Sequence, residues 1–163
     1  LVCFALYAAN RTTTQAYRVL LEPWNLTYPQ YIALVTLWGD GEQTVRSLGE
    51  ALQLDSGTLS PMLARMEDAG YITRTRGGDD ERVVTVGLTE RGHAMRDELA
   101  HVPQCIAYGA GLTDADSARE LIDALNQLTE AMKSLRDQPD TVLDADGGPR
   151  RLRSNTTARR RSA

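Results

Sequence analysis

The sequence predicts a mainly α-helical chain that carries one small β element, and three observations lead there. Apolar residues recur at helical spacing through most of the chain, the period switches to two only between Tyr71 and Leu88, and a late apolar series keeps a heptad step. The 163 residues suffice for one domain with a full core, or for one subunit of an intertwined dimer.

Taken in order, Leu1 to Leu21 reads as a long helix ended before Pro23. Its first nine residues are apolar but lack a basic leader and are too short to span a bilayer, so neither a signal peptide nor a membrane helix is expected. Because residue 1 is Leu, a few native residues are expected to precede it. Thr27 with Gln30 forms a capping-box pattern, Pro29 lies in the first turn, and Ile32, Leu34, Val35, Leu37 and Trp38 make a largely buried helix that Gly39 should end. Thr44 caps a third helix with Val45, Leu48, Ala51 and Leu52 on one face. A tight turn through Gln53 and Leu54 leads to a fourth helix, capped by Asp55 or Ser56 and stopped by Gly70.

That fourth helix has two faces. Leu59, Met62, Leu63 and Met66 fall at i, i+3, i+4 and i+7 and look inward, while Gly57, Ser60, Pro61, Ala64 and Arg65 face away. Pro61 removes an amide donor, which predicts a late start or a bend near the first turn. Tyr71–Arg76 and Arg82–Leu88 follow as two β-type runs joined by Gly77-Gly78-Asp79-Asp80. Thr89 caps a helix to about Ala100, Pro103 breaks it, and Thr113 and Asp114 start the last helix. In that helix Ala118, Leu121, Leu125, Leu128, Met132 and Leu135 alternate steps of three and four, a seam that wants a partner helix and predicts a homodimer.

Two short helices followed by a basic hairpin, within about fifty residues, form a winged helix-turn-helix, so the fold class is mainly α with a small β-wing plus N- and C-terminal dimerisation helices. A helix face of small, hydroxyl and cationic residues suits a major groove, which nominates Ser56, Thr58, Ser60, Pro61 and Arg65. On the hairpin Arg74, Arg76 and Arg82 could reach phosphates or a minor groove, with Asp80 orienting Arg82. A solvated surface hairpin is the bland alternative for those charges.

The net charge of −4 argues against general adhesion to nucleic acid. By segment, the first 135 residues carry −7 and the remainder +3. The division expected is 1–25 with 100–136 as a helical dimerisation region, 26–99 as the DNA-binding domain, and 137–163 as a disordered basic tail rich in Asp, Gly, Ser, Thr and Arg. Two distant cysteines cannot build a disulfide framework, so a reducing cytoplasmic compartment is the default.

The run LDSGTLSPMLARMEDAGYITRTR, followed by DDER and LTERG, resembles the MarR family of bacterial repressors. Cys3-Phe-Ala-Leu-Tyr7, Ala16-Tyr17 and Leu26-Thr-Tyr28-Pro-Gln-Tyr31 are similar to its organic hydroperoxide sensor branch, OhrR, over Leu1 to about Leu135. The resemblance implies a homodimer on a pseudo-palindromic double-stranded operator, with an organic hydroperoxide as the signal. No cofactor, metal or membrane enters. It also implies that Cys3 reacts with the peroxide, that Tyr17 and Tyr28 reach it across the dimer interface, and that Cys105 of the other subunit resolves it. Tyr7, four residues after Cys3 on the same helical face, lines the pocket.

Judged alone, Cys3 would be a buried small hydrophobe, and a buried thiol near the interface is the alternative for Cys105. Phenol donors in a dry pocket favour a reactive thiolate, and an apolar pocket prefers an alkyl peroxide to hydrogen peroxide. The family often has Lys at the position held here by Ala64, which puts the operator preference in doubt. Three other readings compete: a repressor answering a small phenolic ligand with Cys3 incidental, a thiol peroxidase, and a zinc sensor using His101 and Cys105. The reader domain has no catalytic role, which disfavours the second. His93 and His101 gather no acidic ligands, which disfavours the third.

Overall fold

The computed structural model describes residues 1–77, 83–137, 141–143 and 149–151. They form two compact units, Leu1–Gly111 and Leu112–Ala163. In the first, α1 (Val2–Leu21) leads through a 3-10 turn to α2 (Tyr28–Asp40), β1 (Gln43–Thr44), α3 (Val45–Leu52), α4 (Ser56–Asp68), β2 (Ile72–Arg76), β3 (Val84–Leu88), α5 (Glu90–Glu98) and α6 (Val102–Gly109).

The organising helix is α2, which packs against α1, α3, α4, α5 and β3. Tyr31, Ala33, Leu34 and Leu37 are its buried residues. They meet Leu48 of α3, Leu59, Leu63 and Met66 of α4, Val86 of β3, and Met95, Leu99 and Val102 farther on, all in one core. Burying each large aliphatic group contributes about 1.5–3 kcal/mol relative to leaving it in water. The capping box at Thr27 forms as expected, the Thr27 amide donating to Gln30 Oε1 at 2.8 Å. Asn25, before it, adopts a left-handed conformation.

One helix end differs from expectation, and at another the alternatives narrow. Helix α2 runs past Gly39 and stops at Gly41, whose φ of +76° is the one that turns the chain into β1. Helix α4 starts at its Asp55 cap rather than late, and Pro61 lies within it. The amide that Pro61 lacks would have met the carbonyl of Gly57, and both residues are exposed, so water can take that acceptor. Asp55, not Ser56, is the cap and accepts from the Thr58 amide at 3.0 Å. At the other end Gly70 (φ +76°) donates to Glu67 and Tyr71 donates to Met66, a Schellman stop.

The hairpin expected from the sequence is part of a three-stranded sheet, order β1-β3-β2. Strand β2 pairs with β3 from Ile72↔Leu88 to Arg76↔Val84, and β1 adds Gln43↔Val86 and Thr44↔Thr85. A two-residue strand cannot display an alternation, so only its partner reveals it. Arg74, one of the candidate DNA contacts, is bound to the end of α4. Its Nε and Nη2 donate to Glu67 Oε2 at 2.8 and 2.6 Å, and its amide donates to Oε1 at 2.9 Å. Those bonds, the side-chain ones first, hold the Glu67 carboxyl below its ordinary 4.5.

Behind the wing, Gly92 sits where no side chain fits, because a Cβ there would drive into the Tyr71 carbonyl oxygen. Thr89 ties the same corner together. Its hydroxyl accepts from the Gly92 amide at 3.0 Å and donates to the Gly70 carbonyl at 2.6 Å.

The second unit holds α7 (Ala115–Asp137), begun by Asp114 accepting from the Ser117 amide at 2.7 Å. Leu121, Leu125, Met132 and Leu135 of its seam are exposed, as are Val2, Phe4 and Tyr7 on α1. Within the segment expected to be disordered, β4 (Thr141–Leu143) pairs antiparallel with β5 (Pro149–Arg151), where Thr141 and Val142 supply β-branched residues. Among the described residues no helix is long and apolar enough to cross a membrane.

Two expectations follow from this corner of the fold. Gly92→Ala should lower stability by about 1–3 kcal/mol in urea denaturation, since backbone must move to admit the methyl group. The Glu67–Arg74 contribution should be present above pH 4.5 and lost as pH falls through the lowered value of Glu67. The gap in urea midpoint between wild type and Glu67→Gln should therefore be constant near neutrality and close in acid.

Candidate functional site

Helix α1 ends in an aromatic cluster. Tyr17 of α1 stacks on Tyr28 at the start of α2, with ring centroids 4.1 Å apart, and Tyr31 lies 5.7 Å from Tyr17. The spacing of Tyr28 and Tyr31, i and i+3, puts both on the α2 face that α1 covers. Burial raises Tyr17 to about 12, helped by the neighbouring Tyr28 and Tyr31, and burial raises Tyr28 and Tyr31 too. All three phenols therefore stay protonated at any physiological pH. That is what a neighbouring thiolate needs.

The thiol is not in the same chain's cluster. Cys3 is exposed near the start of α1, and fourteen helical residues separate it from Tyr17, about 21 Å at 1.5 Å per residue. No rotamer of either side chain closes that gap. Tyr17 and Tyr28 can approach only the Cys3 of another copy. Tyr7 is one turn from Cys3 and exposed, on the stretch with Val2 and Phe4.

Cys105 is exposed one turn into α6. His101, the N-cap residue of α6, packs its ring 5.8 Å from that of Trp24, just past the far end of α1. Cys3 lies about 27 Å from Leu21 along the helix, and Cys105 only about 6 Å beyond His101. Both thiols are free and exposed. The His101 ring also lies against the Glu98 carbonyl at 3.1 Å. Among the described residues no three His, Cys, Asp or Glu side chains gather to hold a metal.

The reading face is separate from the thiol site. Ser56, Thr58, Ser60, Pro61 and Arg65 are all exposed along α4, while Leu59, Met62, Leu63 and Met66 are buried beneath them. Thr58 is engaged by its cap, its hydroxyl donating to Asp55 at 3.1 Å, and hydrogen bonds led by the Thr58 amide hold Asp55 below the usual carboxylate range. Arg65 Nε donates to the Pro61 carbonyl at 3.2 Å, which leaves its terminal nitrogens pointing outward from the helix. Arg76 is exposed at the end of β2, whereas Arg74 is half-buried against Glu67. Asp80 and Arg82 lie outside the described residues.

Two contributors escaped the candidate set. Tyr31 is 3% exposed and completes the phenol cluster, although it stood in plain view at the end of the Leu26–Tyr31 motif. Glu67 carried no signal, because its partner Arg74 is seven residues away and across a turn.

Known proteins share this chain's sequence and fold. The family model for the transcriptional regulator SarA/Rot matches residues 15–99. An organic hydroperoxide resistance transcriptional regulator of Bacillus subtilis (strain 168) is 44% identical over 131 residues, 80% of this chain and 88% of that protein. Reduced AbfR bound to DNA superimposes with a TM-score of 0.67 at 31% identity, over 80% of this chain and 91% of that one. The disulfide-formed AbfR, a protein of Staphylococcus epidermidis, gives 0.60 at 32% identity over 83% and 90%. With that level of identity along four-fifths of its length, and with the winged helix, its cap and its phenol cluster in place, the chain belongs to the MarR family of winged-helix transcriptional regulators, beside the organic hydroperoxide regulators.

Proposed function

We propose that this protein is a cytoplasmic, homodimeric DNA-binding repressor that senses organic hydroperoxides through Cys3. One observation carries the reading. A stacked pair of protonated phenols stands at one end of α1 and an exposed cysteine at the other, too far apart to meet except between two copies. The exposed apolar residues of α1 and of the α7 seam supply surface for that second copy. In this dimer, 1–25 with 100–136 forms the pairing region and 26–99 the reading head.

The chemistry is a two-electron oxidation of sulfur. The Cys3 thiolate attacks the terminal peroxide oxygen, the S–O bond forms as O–O breaks, and the alkoxide takes a proton and leaves as the alcohol. The product is a sulfenic acid. The thiol of Cys105 from the other subunit then attacks that sulfur, an S–S bond forms, and water leaves. Each protein is consumed once per peroxide, so this is a switch rather than turnover. Tyr17 and Tyr28 donate hydrogen bonds that favour the thiolate, and Tyr7 lines the apolar pocket that accepts the alkyl group.

On DNA, α4 enters the major groove with Ser56, Thr58, Ser60 and Pro61 close to the bases and Arg65 reaching outward. Arg76 and Arg82 serve the wing, with Asp80 orienting Arg82. Arg74 has a different part, fixing the wing to α4 through Glu67. Joining Cys3 to Cys105 across the interface requires movement to the 2 Å of a disulfide, and that movement throws the two heads out of step with two half-sites.

A duplex selected from a random-sequence pool by the reduced protein supplies the probe. Cumene hydroperoxide, one equivalent per Cys3, should release it as a reducible dimer band appears on non-reducing gels. Cys105→Ser should give no such band, and Cys3→Ser should hold DNA throughout. Wild type that keeps its DNA through full oxidation of Cys3 would point instead to a ligand-responsive relative. Replacing Tyr17 and Tyr28 together with Phe should shift the pH profile of Cys3 alkylation upward, because the thiolate loses both donors. An unchanged profile would remove the tyrosines from the sensing chemistry.

A further inference from the structure

The phenol cluster does not end at Tyr31. Its ring meets the edge of Trp38, with centroids 6.3 Å apart and planes at 72°. Tyr31 and Trp38 are i and i+7 on α2, so the same helix face that meets Tyr17 continues two turns inward. The Trp38 indole N–H donates to the Gly92 carbonyl at 2.8 Å. Gly92 is the residue at which an added Cβ would run into the Tyr71 carbonyl, and Thr89 binds both its amide and the Gly70 carbonyl. The Thr89 amide adds a bond to the Tyr71 carbonyl at 3.1 Å. Gly70 ends the reading helix and Tyr71 begins the wing. An unbroken run of packed rings and backbone bonds thus joins the phenol cluster to the joint between α4 and the wing.

We infer that Trp38 is a positioning residue that couples the pocket to the reading head. While the tyrosines stack as described, Tyr31 seats the indole and its N–H holds Gly92, which sets the angle between α4 and the wing for DNA. When Cys3 is oxidised and the phenols lose the thiolate they were bonded to, the stack rearranges, Trp38 shifts, and the joint is released. Tyr17 and Tyr28 serve the Cys3 of the other copy, so the sulfur of one subunit is read out by the head of its partner. This rests on the redox reading given above. A close-packed interior passes such a shift on because it has no voids in which to absorb it.

The test is Trp38→Phe, which keeps an aromatic ring beside Tyr31 and removes only the donor and part of the bulk. Two quantities are compared with wild type: the rate of Cys3 sulfenic acid formation with cumene hydroperoxide, and the ratio of affinities of reduced and oxidised protein for the selected duplex. The expected result is an unchanged oxidation rate and an affinity ratio reduced by roughly fivefold or more. A purely structural role for Trp38 would weaken both redox forms alike and leave the ratio intact. A variant that releases DNA on oxidation just as wild type does overturns the inference. If Trp38→Phe does not fold, Trp24→Phe leaves Trp38 as the sole indole of the chain. Its emission should shift on oxidation, and constant emission while DNA is released overturns the inference as well. Wild type that never releases DNA on oxidation sinks the redox reading itself, an outcome distinct from both.

Discussion

A helix is stiff, and α1 is twenty residues long. That stiffness holds Cys3 about 21 Å along the helix from Tyr17 of its own chain, and the layout of the site follows from that separation. A flexible segment would let one subunit assemble its own sensor. A rigid one forbids it, and the same helix leaves apolar residues exposed along α1. In the proposed dimer a second copy covers them, so that pairing and sensing share one surface.

The reading head follows a similar economy of parts. Its joint is set by groups that need little sequence to specify: a left-handed glycine at the end of α4, a threonine hydroxyl used twice, and a glycine too confined to carry a methyl group. Glu67 and Arg74 add a charged clasp from the other side, each about one-third exposed. At such exposure an ion pair contributes modestly by itself. Its three hydrogen bonds matter more as a geometric constraint, since they tie both the strand backbone and its side chain to the helix.

Much of this could be read from the residues in order. Thr27 with Gln30, Thr44, Thr89 and Gly70 mark helix ends because capping is local, decided within three or four residues. The inward stripe of α4 at Leu59, Met62, Leu63 and Met66 emerged buried as expected, since periodicity alone fixes which face is apolar. Local rules failed where two partners competed for one role. Gly39 and Gly41 both could have ended α2, and Asp55 and Ser56 both could have capped α4. Sequence offers no means of choosing between adjacent candidates that differ only in what packs around them.

By itself, then, the chain's sequence determined the helices, the hairpin and which face of α4 turns outward, because each depends on neighbours a few residues away. The tertiary structure decided what no local pattern contains: that Gln43 and Thr44 complete a sheet, that Arg74 is clasped by Glu67, that Tyr31 joins Tyr17, and that Cys3 lies a long helix away from Tyr17 of its own chain. These are facts of distance between segments remote in sequence. Only folding, which sets how far a rigid helix carries one group from another, brings them into being.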